Sequence, residues 1–111
     1  PGQENTASLS SKDLKKIIPN ETSLLKAYPN PFNGIINIPF QLASPENIEI
    51  IIYNILGKEI QKFPIEQVSP GQYNITWNAK SNSGNELGTG VYFIKLHSIN
   101  FNSVEKIIYL K

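Results

Sequence analysis

"YPNPFNGIINIPFQL", Tyr28 to Leu42, holds the reading of the fold. Its second half alternates. Ile36, Ile38, Phe40 and Leu42 fall on one side, Asn37, Pro39 and Gln41 on the other. A period of two is what a strand with one buried face requires, because successive side chains leave opposite faces of the pleat. Pro39 donates no hydrogen bond. The strand therefore lies at an edge, or Pro39 occupies a slot where no bond is needed. The first half is a bend: Pro29 and Pro31 restrict φ, and Asn33-Gly34 turns the chain into the strand.

The alternation recurs downstream. "IEIIIYN" (48–54) puts Ile48, Ile50 and Ile52 inward and Glu49, Ile51 and Tyr53 outward. "NILG" supplies Asn54 and Gly57 for a tight reversal, and "KEIQKF" reads as a short strand. "PIEQVSPG", with prolines at both ends, reads as a loop. "QYNITW" alternates Tyr73, Ile75 and Trp77 against Gln72, Asn74 and Thr76. A long polar stretch, "NAKSNSGNELGTG", carries Gly84, Gly88 and Gly90. "VYFIKLHS" sets Tyr92, Ile94 and Leu96 against Val91, Phe93, Lys95 and His97, and "VEKIIYLK" reads as a strand running to the final residue. About seven short strands with regular turn signals, and no convincing helix among them, predict an all-β, immunoglobulin-like antiparallel β-sandwich. Trp77 is the natural core anchor.

Upstream, residues 1–23 read as a polar linker and 24–111 as the sandwich. "SSKDLKKIIPN" places Leu14, Ile17 and Ile18 on one face of a short helical turn that Pro19 would stop, but solvated lysines in a linker explain it more simply. The chain opens on Pro1 with no signal peptide, which reads as a fragment cut from something longer. With 111 residues there is room for one core and little room for a deep cavity.

Charge and composition exclude several kinds of chemistry. Ten basic residues, all lysine, face nine acidic ones, so no basic stripe calls for nucleic acid. There is no cysteine, hence no disulfide, thiolate or Cys-ligated metal. No apolar run approaches the length of a membrane span. His97 is the single histidine; without a Ser or Asp beside it in a recognisable motif, it reads as an exposed structural residue. Glu49 and Glu59 can face across a hairpin, yet surface charge explains both. Glu86 in "NSGNELG" offers at most a weak ion site. "GTG" precedes a strand rather than a helix, so it reads as a turn needing positive φ rather than a phosphate loop. Asn20-Glu-Thr22 and Asn74-Ile-Thr76 fit a glycosylation sequon that arises often by chance. No catalytic residue, metal or cofactor is expected. Tyr53 and Phe93 stand as candidates for a carbohydrate platform, the alternative reading: an adhesive or carbohydrate-binding module of a secreted enzyme.

Three motifs in order carry more than any of these. They are "YPNPFNG" (28–34), "IYNILGKEI" (52–60) and "ITWNAKSNSGNELGTGVYFIKL" (75–96), followed by "KIIYLK" (106–111). Together they resemble the C-terminal sorting domain of proteins exported by the type IX (Por) secretion system. The match runs over about Leu24 to Lys111. The middle segment also resembles the immunoglobulin-like domain of the flagellar hook-capping protein. Asn78 stands where related domains often have Asp, Lys58 where Arg is frequent, and Asn33-Gly34 where Asn-Pro is frequent.

The resemblance implies a non-catalytic address. It would send an upstream cargo in the same chain from the periplasm to the outer cell surface. Its partners would be the secretion machinery and a cell-surface signal peptidase that removes it. Ile107, Ile108, Tyr109, Leu110 and Lys111 would carry the signal. Tyr28, Pro29, Asn30, Pro31, Gly57, Trp77, Gly84, Gly90 and Tyr92 would serve the fold. On physical grounds, a terminal strand held only by its neighbours invites reading by strand addition at its edge.

Overall fold

A computed structural model describes residues 19–111. The helical turn expected before Pro19 and most of the expected linker lie outside them. Seven strands follow in order: β1 Ser23–Leu24, β2 Ile36–Leu42, β3 Glu46–Asn54, β4 Glu59–Val68, β5 Gly71–Trp77, β6 Gly90–His97 and β7 Asn102–Tyr109. They form two antiparallel sheets, ordered β1-β2-β5 and β4-β3-β6-β7. The core between them is built from the alternating positions: Ile36, Ile38, Phe40 and Leu42 of β2, Ile48, Ile50 and Ile52 of β3, Ile94 and Leu96 of β6, and Ile107 of β7. Trp77 is buried among them, edge-on to Tyr92 at 5.7 Å and tilted against Phe32 at 5.9 Å. Its indole N–H donates to the Lys80 carbonyl at 2.9 Å, which satisfies the one polar atom a buried Trp must place.

Pro39 turns out to sit inside a sheet. Its carbonyl accepts from Leu25 N–H, so its missing N–H also faces β1. Toward β5 the register runs unbroken from Ile36↔Trp77 to Leu42↔Gly71. The slot reading is correct and the edge reading is not.

Four other expectations need correction. "PIEQV" continues β4 rather than looping, because β4 is an edge strand and Pro64, opposite Glu49, directs its absent N–H away from β3. Ile51, on the outward face, is nonetheless buried, flanked in register by Lys62 and Lys95, whose apolar stems can cover it. The last strand ends at Tyr109 rather than at the final residue. Gly88 and Gly90 need no positive φ: Gly90 opens β6 opposite Tyr109, and the positive-φ positions among the described residues are Gly57, Gly71, Gly84 and Ala79.

Candidate recognition site

The final strand has the outer edge of its C-terminal half occupied, and the occupant is the turn that begins the domain. In β7, the residues bonded to β6 alternate with residues whose N–H and C=O point away from the sheet. Lys106, Ile108 and Leu110 are of the second kind. Asn30 meets the first two: its Nδ2 donates to the Lys106 carbonyl at 3.1 Å, and its Oδ1 accepts from Ile108 N–H at 2.9 Å. Phe32 continues the line. Its N–H donates to the Ile108 carbonyl at 2.9 Å, and its carbonyl accepts from Leu110 N–H at 2.8 Å. The carboxamide of Asn30 thus stands in for one peptide unit of a neighbouring strand. Phe32 supplies a short parallel bridge to Tyr109.

Local sequence explains why this turn lies there. Both X-Pro bonds, Tyr28-Pro29 and Asn30-Pro31, are cis. Tyr28 is tied to β2 by reciprocal backbone bonds with Asn37, at 3.0 and 2.8 Å. The Phe32 ring is buried and lies 5.0 Å from that of Tyr109. Just before the turn, Ala27 N–H donates to both carboxylate oxygens of Glu105, at 3.0 and 3.1 Å. A glutamate at an inward position of β7 therefore has a backbone partner, as a part-buried carboxylate must.

The five terminal residues divide by direction. Ile107 is fully buried and Tyr109 nearly so. Ile108 is half-buried on the outer face, while Leu110 and Lys111 are exposed. Lys111 is held at the surface: its N–H donates to Thr89 Oγ1 at 2.8 Å, and its Nζ lies 3.6 Å from Glu86. Pro29, Pro31, Phe32 and Asn33 face Leu110 and Lys111 across a shallow groove of about 540 Å³.

The remaining motif residues collect at this same end of the sandwich. Register pairs Asn54 with Tyr92, Gly90 with Tyr109 and Ile36 with Trp77. The β3–β4 hairpin tip, Thr89-Gly90, the Tyr28–Gly34 turn and the Trp77 corner are therefore neighbours at one end. Asn54 Oδ1 accepts from both Leu56 and Lys58 N–H at 2.9 Å, and Gly57 takes φ 82°. That turn lifts Ile55 and Leu56 into solvent, Leu56 to 88% exposure. Tyr28, Ile35 and Leu110 are also exposed here. Gly84 turns with φ 86°. Tyr92, buried, donates its hydroxyl to the Gly88 carbonyl at 2.7 Å. Burial, and secondarily the Tyr109 hydroxyl, push its pKa above the ordinary tyrosine value.

The candidates for chemistry stay apart. Lys62 Nζ lies between Glu49 and Glu59, at 3.7 and 3.8 Å, so a lysine joins the two carboxylates and no cleft separates them. His97 is exposed, with Nδ1 2.8 Å from Asn102 Oδ1 across the β6–β7 pair. Among the described residues no group of three His, Cys, Asp or Glu side chains gathers where a metal ion would sit. No helix among them is long and apolar enough to cross a membrane. Tyr53 and Phe93 oppose one another in register on the outer face of β3 and β6, both half-buried. Sequence reasoning missed Asn30 and Phe32 as the partners of β7, and Glu105 as the anchor of Ala27. Glu105 carried a signal: a charge on the same side as Ile107 and Tyr109.

This is a sandwich that presents a surface at one end rather than enclosing a cavity, of the immunoglobulin-like class. The family is narrower. Residues 26–110 match the model of the secretion system C-terminal sorting domain, and the chain belongs to that family. Such domains are sorting signals of the type IX system and direct the proteins that carry them across the outer membrane to the cell surface or beyond. Among solved structures, dimeric latent PorU from Porphyromonas gingivalis matches 78% of this chain with 19% identity and a TM-score of 0.63. PorZ, described as a surface component of the type IX system of the same organism, matches 96% of it with 18% identity and a TM-score of 0.54. FlgD from P. aeruginosa matches 83% with 16% identity and a TM-score of 0.52, and 68% of that chain is covered. These likenesses establish the fold. The chain spans 9% of the PorU chain and 13% of the PorZ chain. No curated protein matches it.

Proposed function

We propose that the export machinery reads this domain at the end of the sandwich where the Tyr28–Gly34 turn meets the last strand. The single observation behind this reading is the set of bonds from Asn30 and Phe32 to Lys106, Ile108 and Leu110. They make the first family motif and the terminal residues one surface. Ile108, Leu110 and Lys111, with Pro29, Pro31 and Asn33, are its side chains. Ile107 and Tyr109 act beneath it as core. Strand addition at β7 is disfavoured over residues 106–110 in this reading, because the Lys106 carbonyl, both backbone groups of Ile108 and the Leu110 N–H are already bonded. Side chains are read instead.

The decisive experiment fuses the 111-residue chain to an exportable reporter. A double variant, Leu110→Asp with Lys111→Glu, is expected to stop export while leaving the melting transition close to that of the parent. Both residues are exposed, and exposed substitutions usually move stability by no more than about 0.5 kcal/mol. Full export of that variant overturns the reading.

The domain carries no catalysis of its own in this reading. The lysine between Glu49 and Glu59 and the His97–Asn102 pair support that. Residues 1–21, which precede the buried Thr22 and the β1 residue Ser23, serve as the tether to an upstream cargo, and a cell-surface peptidase cuts there. The polar composition of the segment, and a family match that begins only at residue 26, support it. Mass spectrometry of the exported reporter is expected to find its C-terminus within residues 1–21. A C-terminus at Lys111 on all exported molecules counts against cleavage.

A further inference from the structure

Each long strand edge in a sandwich is a template for another strand unless something covers it. In this molecule Asn30 and Phe32 cover β7 from Lys106 to Leu110. At β4 a second asparagine serves. Asn82 N–H donates to the Ile60 carbonyl at 3.0 Å and its Oδ1 accepts from Lys62 N–H at 3.3 Å. The next outward position along β4 is Pro64, which has no N–H. β1 is only two residues long.

β5 differs. Asn37 and Pro39 bond toward Tyr28 and Leu25, so the other residues of β2 (Ile36, Ile38, Phe40 and Leu42) are those bonded to β5. Their partners are Trp77, Ile75, Tyr73 and Gly71. The N–H and C=O groups of Gln72, Asn74 and Thr76 therefore point out of the sheet. Among the described residues no hydrogen bond reaches them. The strand holds no charged residue and no proline. Tyr73 and Ile75, on its core face, are only half-buried.

We propose that β5 pairs antiparallel with β5 of a second copy of this chain, about a two-fold axis at Asn74. The strand is self-complementary about that residue. Asn74 meets Asn74 of the partner subunit, and Gln72 meets the partner's Thr76, all through outward backbone groups, so each pair exchanges both N–H···O bonds. On the inner face Tyr73 meets the partner's Ile75, and each covers the apolar surface the other leaves half-exposed. On the outer face only neutral amides and hydroxyls meet. The two three-stranded sheets become one of six. The antiparallel axis sends the two motif-bearing ends in opposite directions, so pairing leaves both recognition surfaces uncovered.

Sedimentation equilibrium of the 111-residue chain from micromolar to millimolar concentration tests this. The expected result is a rise from the mass of one copy toward two. Amide protection of Gln72, Asn74 and Thr76 rises with it. Asn74→Lys sets like charges against each other on the axis, and Asn74→Pro removes an outward N–H that β2 does not use. Both are expected to hold the chain at one copy with circular dichroism unchanged; if Asn74→Pro does not fold, Asn74→Lys decides. A parent chain that stays at one copy at millimolar concentration overturns the proposal. So does a folded Asn74→Lys variant that still doubles its mass.

Discussion

Asn30 shows how much one side chain can do. Its amide replaces a peptide unit at the edge of β7, giving an acceptor to Ile108 and a donor to Lys106. Asn30→Ala removes both bonds at a surface-accessible site, so the expected cost is about 1–2 kcal/mol in urea unfolding. Hydrogen exchange at Ile108 N–H is expected to speed up most. Gly57 sits at φ 82° with nothing within 4 Å of where a Cβ would lie. Gly57→Ala is therefore a test of backbone conformation alone, with an expected loss of about 1 kcal/mol. Tyr92 makes a pH prediction. Its pKa is raised in the folded state, chiefly by burial. Above the ordinary tyrosine range the unfolded chain gives up its proton while the folded one keeps it, so unfolding becomes easier as pH rises. Stability is expected to be flat with respect to this group at neutral pH and to fall above about pH 10. Tyr92→Phe is expected to remove that part of the alkaline loss.

At the scale of the element, the two faces of β7 differ in burial. Ile107 is fully buried, and Ile107→Ala is expected to cost about 2–5 kcal/mol. Leu110 is 48% exposed, and the same change there is expected to cost far less. Chemical denaturation of the two variants distinguishes them. Removing residues 107–111 as a block would take Ile107 and Tyr109 out of the core and free Phe32, so a truncation cannot isolate the signal from the fold. Point changes at Leu110 and Lys111 can.

The strands were legible to the degree that alternation shows burial. β2 lies over Ile36–Leu42, as its pattern predicts, because every second residue is large and apolar. β4 reads from the sequence as ending at Phe63, since Pro64 looks like a breaker until the strand is known to be an edge. β1 is too short to have a period. Contacts that cross between segments leave no periodic trace. Phe32 and Asn30 reach residues 76 or more positions away in the chain. Composition marked their segment as a bend, and only topology reveals what the bend touches.

For the whole molecule, the sheet order sets what is exposed. β3 and β6 are internal to the larger sheet and β2 to the smaller, so open backbone and exposed turns lie at edges and ends. The hairpin tip with Ile55 and Leu56 shares its end with Leu110 and Lys111, and both belong to motifs by which the sequence resembles its family. Export of a fused reporter is expected to weaken on Leu56→Asp, with the fold intact by circular dichroism, if that whole end is read. Export unchanged by Leu56→Asp would confine the surface to the groove between Pro29 and Lys111.

The bonds between Asn30 and β7 also concern time. On a ribosome, residues 28–32 emerge long before residues 106–110 exist. Until then Asn30 has no strand edge to bond, and Phe32 has no Tyr109 to pack against. The composite surface is assembled only from a chain that has been made through Leu110. A chain whose synthesis stops short carries the opening motif but never forms these bonds. The staple that closes the sandwich therefore forms only once both ends of the domain exist.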